Sequence, residues 1–173
     1  GGEWNTSSAL EFQVGDLPFD YGDAPAPYPT LQANGDACHV DVGPKLGTLR
    51  DTELDGQPTA AADGDDNDGS DDEDGVTFGS ITVGQADASV TVNVQNAPSG
   101  AKLDAWIDFN GDGSWDGLGE QIADSLSVSA GVDSLQFNVP YWAASGDTYA
   151  RFRLSTAGNL APSGAADDGE VED

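Results

Sequence analysis

The chain has 173 residues, 32 Asp and Glu against 5 Lys and Arg, and a formal net charge of -27, with 37% hydrophobic residues and 23 glycines. That length suits one domain with a real core, and the low apolar and high glycine content makes it loop-rich. The charge excludes nucleic acid and anionic membrane surfaces as partners, because phosphate binding needs a basic surface and the only strong cations are Lys45, Arg50, Lys102, Arg151 and Arg153. Cations are the expected partners, since self-repulsion on this scale destabilises a compact state without counter-ions.

A lone Cys38 excludes an internal disulfide. No apolar run approaches the length of a membrane span, so no membrane insertion is expected, and no signal peptide is present. A start at Gly1 with no Met in the chain reads as a processed, exported protein, extracellular or at the cell surface.

Residues 4–14 alternate, with Trp4, Leu10, Phe12 and Val14 on one face, and predict a half-buried strand. Residues 15–36 are rich in Gly, Pro and Asp and predict an irregular ordered loop. Little regular structure is expected between 37 and 62. Residues 63–75 form an acidic run punctuated by Gly64, Gly69 and Gly75. A solvated charge block is one reading of it. The other, which we favour, is one or two calcium sites drawing on Asp63, Asp65, Asp66, Asp68, Asp71, Asp72, Glu73 and Asp74, because these carboxylates would repel if folded without metal.

Strands are then expected at 76–83, 88–95, 101–109, 121–129, 132–139 and 147–155, marked by alternations such as Val90, Val92, Val94 and Leu103, Ala105, Ile107. Short strands at near-regular spacing, with no amphipathic helix, predict an all-β protein: an antiparallel β-sandwich with long calcium-binding loops. Residues 1–18 read as an N-terminal strand and linker, and 19–173 as the sandwich.

Between two of these strands lies Asp-Phe-Asn-Gly-Asp-Gly-Ser-Trp-Asp-Gly-Leu-Gly-Glu, residues 108–120. Asp108, Asn110 and Asp112 alternate before Gly113, with Ser114, Asp116 and Glu120 following. Such spacing turns alternate oxygens toward one point, and a hard cation takes six to eight oxygens. Two features depart from the helix-flanked version. Loop position twelve is Gly119, with Glu120 one place late, and the upstream flank alternates like a strand. A strand-flanked calcium loop is expected; the alternative is a polar hairpin turn.

Glu170, Glu172 and Asp173 are candidates to close a calcium site with the acidic run, and Asp20 and Asp23 are further candidates. Cys38 beside His39 supplies too few ligands for a soft metal, and a buried thiol is the expected outcome. Trp106, Trp115 and Trp142 read either as core or as a sugar-binding face. Arg151 and Arg153 are expected to pair with acids. Nothing marks a catalytic carboxylate pair or a Ser/His/Asp or Cys/His arrangement, so no enzyme is expected.

The ending Asp167-Asp168-Gly169-Glu170-Val171-Glu172-Asp173 resembles the signature of the GEVED domain. Asp20-Tyr21-Gly22-Asp23-Ala24-Pro25, Ala37-Cys38-His39, Leu46-Gly47, Asp63-Gly64-Asp65-Asp66, Asp71-Asp72-Glu73-Asp74-Gly75-Val76, Ala105–Gly113 and Ala150–Ser155 follow in the family's order. The resemblance covers about residue 19 onward. It implies a secreted accessory module of large bacterial proteins, β-structure and calcium binding, not a reaction.

In the family the motif runs on into another alternating strand. Here only Asp173 follows Glu172, while Leu10–Val14 looks like that strand moved to the front. A sheet lacking a strand exposes backbone groups and an apolar groove. Either 4–14 folds back into its own domain or it enters a neighbouring copy, and the latter contact, being head-to-tail, propagates. At about 3.3 Å per residue the donor spans roughly 36 Å. The expected function is therefore a structural subunit of an extracellular, calcium-stabilised filament, with copies of itself as partner. The alternative is a glycan-binding or adhesion module of a larger secreted protein, with surface polysaccharide as partner.

Overall fold

The structure, a computed structural model, describes residues 18–64 and 73–173. The expected strand at 4–14, with Trp4, Leu10, Phe12 and Val14, and the acids Asp65, Asp66, Asp68, Asp71 and Asp72 lie outside the described residues. Eleven strands are present among the described residues: β1 Phe19–Tyr21, β2 Ala37–Val40, β3 Lys45–Leu46, β4 Val76–Phe78, β5 Ala88–Gln95, β6 Ala101–Ile107, β7 Gln121–Val128, β8 Gly131–Phe137, β9 Ala150–Ser155, β10 Gly164–Ala166 and β11 Glu170–Glu172. The sole helical element described is a 3-10 turn at Gln32–Asn34.

Alternation builds the centre. In β5, Ala88, Val90, Val92 and Val94 are buried while their neighbours point away, so one face of the strand is apolar. That strand pairs antiparallel with β8 on one side and with β3 and β4 on the other. A second antiparallel sheet runs β11-β9-β6-β7. Leu103, Ala105 and Ile107 of β6 and Phe152 and Leu154 of β9 share one core with the valines of β5, so the two sheets face each other across it. The all-β expectation holds, with antiparallel pairing in both large sheets.

The outer face of the second sheet is also covered. β6 is buried along Leu103–Ile107 on both faces, and Arg151 and Arg153 of β9 are buried as well. Their cover includes a small third sheet, β1-β2-β10, whose β2–β10 pair is parallel. Period-two reading misses such strands because Ala37, Cys38 and His39 of β2 are all buried. This corrects the expectation of little structure over 37–62, and β1 likewise falls within the expected loop 15–36.

Boundaries move inward where partners end. β4 stops at Phe78 rather than 83, after which Gly79 N–H bonds Ser89 O (3.0 Å) at the start of β5. β9 begins at Ala150 rather than 147. The acidic tail is itself strand: β11 pairs with β9 through Glu170–Leu154, Val171–Arg153 and Glu172–Phe152.

Candidate functional site: an acidic loop, a carboxylate clasp and an open groove

Residues 108–120 connect β6 to β7, and their side chains fold onto the loop's own backbone. Asp108, fully buried, accepts N–H bonds from Gly111 (2.6 Å), Asp112 (3.3 Å) and Gly113 (2.9 Å), and the Tyr28 hydroxyl donates to it at 2.6 Å. Asn110 Oδ1 accepts from Asp112 N (2.7 Å), Asp112 Oδ1 from Ser114 N (3.0 Å), and Ser114 Oγ from Asp116 N (3.1 Å). Each oxygen caps the amide two residues on, which winds the loop into successive side-chain turns.

Glu120 closes the loop from the far side. Its Oε2 accepts Gly117 N–H (2.8 Å) and its Oε1 Asn110 N–H (3.4 Å), and burial pushes its carboxyl above the usual range. Gly113 has φ +82°, and a Cβ there would lie 2.4 Å from Pro27 Cγ, so both the bend and the close approach require glycine. The donor set is all oxygen and suits a hard cation. Among the described residues, however, no three or more His, Cys, Asp or Glu side chains are gathered closely enough to hold a metal ion. An ion would have to draw the alternate side chains inward.

The ends of the acidic run are fastened to distant carboxylates. Gly64 N–H bonds Asp23 Oδ2 (2.7 Å), Asp63 accepts from Thr59 Oγ1 (2.7 Å), and Asp74 accepts from Thr48 N (2.7 Å). Gly75 N–H bonds Glu172 Oε1 at 2.9 Å, so the tail does meet this run, through backbone. Glu73 lies at the same end and is half-buried. Glu170 Oε2 accepts the Leu46 N–H of β3, and Asp20 Oδ2 accepts Val171 N–H (2.8 Å). Asp173 stands apart from these: it forms a buried ion pair with Arg151 and accepts Ala24 N–H at 2.8 Å.

The arginines answer different partners. Arg151 pairs with Asp173 as expected and lies 4.4 Å from the Trp115 ring centre. Among the described residues Arg153 meets no acid directly, correcting that expectation. It donates to His39 Nε2 (3.0 Å) and to the carbonyls of Cys38, Ala161, Ser163 and Gly164. Because Arg only donates, His39 accepts at Nε2, carries its proton on Nδ1 and donates to Asp168 O (2.8 Å). Burial, then the adjacent Arg153 charge, hold its pKa well below the usual value. Burial likewise pushes the Cys38 thiol up to about 12. Trp106 and Trp115 are buried beside Ala24 and Tyr28, which leaves Trp142 half-exposed next to exposed Tyr141.

A groove opens where β11 runs out. The next pair beyond Glu172–Phe152 would place Asp173 opposite Arg151, which is where their ion pair forms. Past it, Thr148, Tyr149 and Ala150 border a cleft of about 300 Å³ walled by Phe78, Ile81, Ile107 and Asp173. An adjoining cleft of about 350 Å³ shares Ile81, Ile107 and Thr148 and extends to Val83, Phe109 and Val139. Phe78, Ile81 and Val83 along one wall are 42%, 40% and 44% exposed, leaving apolar area open among the described residues.

The family model of the GEVED domain matches residues 102–173. That span runs from β6 through the acidic loop to β11; over residues 19–101 the likeness rests on the shared motifs. No curated protein and no solved structure matches the chain.

Proposed function

With a GEVED domain over residues 102–173 as the premise, we propose that the protein is a structural subunit of an extracellular, calcium-stabilised filament. Residues 4–14 of one copy enter the groove of the next. The observation that carries this reading is the apolar groove past the end of β11, bordered by residues 148–150. These are engaged on the β6 side through Ile107–Ala150 and Asp108 N–H to Tyr149 O but have no ladder partner on the β11 side among the described residues. An alternating segment with Leu10, Phe12 and Val14 on one face suits it: the backbone extends the sheet and the apolar face fills the cleft. Burial would contribute about 1.5–3 kcal/mol per well-buried large side chain before association costs.

Calcium enters this reading as the condition for folding. Residues 108–120 would hold one ion through Asp108, Asn110, Asp112, Ser114, Asp116 and Glu120. Extracellular modules bind calcium with dissociation constants of roughly 10⁻⁴–10⁻³ M. Millimolar calcium then adds about 0.4–1.4 kcal/mol per site.

Electron microscopy of the calcium-loaded protein tests the reading. Filaments are expected from the full chain and lost on deletion of residues 1–14 or on Ile81→Asp, which puts a charge on the groove wall. A peptide of residues 4–14 should bind the truncated protein. Filaments that form without residues 1–14 would overturn the reading. A monomer that binds polysaccharide would favour the adhesion module, for which the exposed Tyr141–Trp142 pair is the supporting observation.

A further inference from the structure

Three strands and one loop carry a second set of acids, separate from residues 108–120; as they stand, no three among the described residues are gathered closely enough to hold an ion. Glu53 faces β1: its N–H bonds Phe19 O (2.9 Å), and its Oε2 accepts Tyr21 N–H (3.2 Å). Asp20, between those residues, is buried and bonds the backbone of β11 at Val171. Glu170 is fully buried beside it, tied to β3 through Leu46. Asp51 leans on Glu53, and Glu172 flanks Glu170 along β11.

Glu170 is the telling member. One carboxylate oxygen accepts the Leu46 N–H; the other, Oε1, is buried with no hydrogen-bond partner among the described residues. An ionised Oε1 in that position lacks a donor, and a protonated one lacks an acceptor. Neither state is satisfied by the described residues. The nearest cation, Arg50, is already committed to Asp41, Pro44 O and Gly169 O.

We propose that a divalent hard cation, calcium by its oxygen donor set, binds between β1, the 51–53 segment and β11, with Glu170 Oε1, Asp20, Glu53 and Asp51 as its protein ligands. Entry of the ion draws the carboxylates onto one point and clasps the three segments. Electrostatics agree. Without an ion, burial and then the Asp20 and Glu172 charges push Glu170 up to about 11, while burial and Asp51 push Glu53 up to about 10. Removing water from several like charges is costly unless a counter-charge is present. The site stands independently of filament assembly.

Calcium titration of the purified full chain by calorimetry, at neutral pH, tests the assignment. Glu170→Gln keeps an acceptor for Leu46 N–H, and Glu53→Gln changes a half-buried position, so one variant remains decisive if the other misfolds. Each is expected to bind one ion fewer than the parent, or one ion at least tenfold more weakly. Asp112→Asn should lose a different ion, and the double variant Glu170→Gln/Asp112→Asn should lose both. Parent-like stoichiometry and affinities in Glu170→Gln and Glu53→Gln would overturn the proposal. In that event an ion lost from Asp112→Asn would still leave the loop site standing.

Discussion

The acids of the 108–120 loop and those around Glu170 carry the same charge and live in opposite surroundings. In the loop, residues close in sequence supply amides to neighbouring oxygens, and Asp108 alone collects three N–H bonds and the Tyr28 hydroxyl. Around Glu170, residues up to about 150 positions apart are brought together, as in the Asp20–Val171 bond, and one Glu170 oxygen is buried with no donor among the described residues. A loop of the first kind holds its shape by local hydrogen bonding. On our proposal the second kind depends on an ion from solution.

Asp108→Ala should give the largest effect and mark the loop as self-supporting. It strands the buried Tyr28 hydroxyl, worth about 1–3 kcal/mol, and removes three partly buried amide bonds worth about 0.5–1.5 kcal/mol each, so a loss of about 3 kcal/mol is expected in urea unfolding. Most of that loss should persist in chelator, with millimolar calcium adding only about 0.4–1.4 kcal/mol for the forfeited loop ion. A loss present only in calcium would mean the carboxylate acts chiefly as a ligand and would dissolve the contrast.

Glu170→Gln should instead change sign with conditions. In chelator the substitution removes a carboxyl that must take up a proton to stay buried, without removing its amide bond, and stability should hold or rise by about 1 kcal/mol. In calcium at about ten times the dissociation constant the variant should forfeit about 1.4 kcal/mol of ligand stabilisation. Melting curves of both proteins in both buffers check this. The same sign in both buffers would remove the ion from the clasp.

Legibility in sequence follows the same division. The loop was readable because its acids sit two apart and Gly113 marks the bend; β5 was readable because one face is core and the other is not. Strands β1, β2, β3 and β11 escaped. They are two to four residues long and mostly buried on both faces, so no alternation survives. Asp51 and Glu53 carried no signal, since their partner β1 lies some thirty positions away. The arginine–histidine contact was equally invisible: it joins Arg153 to His39 across 114 positions.

Gly113→Ala sharpens the comparison further. At φ +82° with Pro27 Cγ at 2.4 Å from the added Cβ, the substitution should cost about 1–3 kcal/mol. It should weaken the loop ion while leaving the Glu170 ion unchanged. Calorimetric loss of both ions would show the two regions to be coupled through the second sheet.

The smallest effect tests a buried base rather than an acid. His39 stays neutral because its Nε2 faces Arg153, whose own pKa burial and Arg151 lower to about 10. The folded histidine therefore takes up a proton well below the usual 6.5, whereas the unfolded chain takes it up near that value. The unfolded state then binds more protons as pH falls, so the stability present above pH 6.5 is lost progressively below it. The slope approaches about 1.4 kcal/mol per pH unit at most, and about 0.7 kcal/mol is expected between pH 7 and pH 6. His39→Gln keeps an acceptor for Arg153 and has no group to titrate there, so across that window the parent should lose stability relative to the variant by the histidine's share alone. Urea unfolding followed by tryptophan fluorescence at pH 7 and pH 6 decides the point, and equal slopes in parent and variant would place the proton elsewhere.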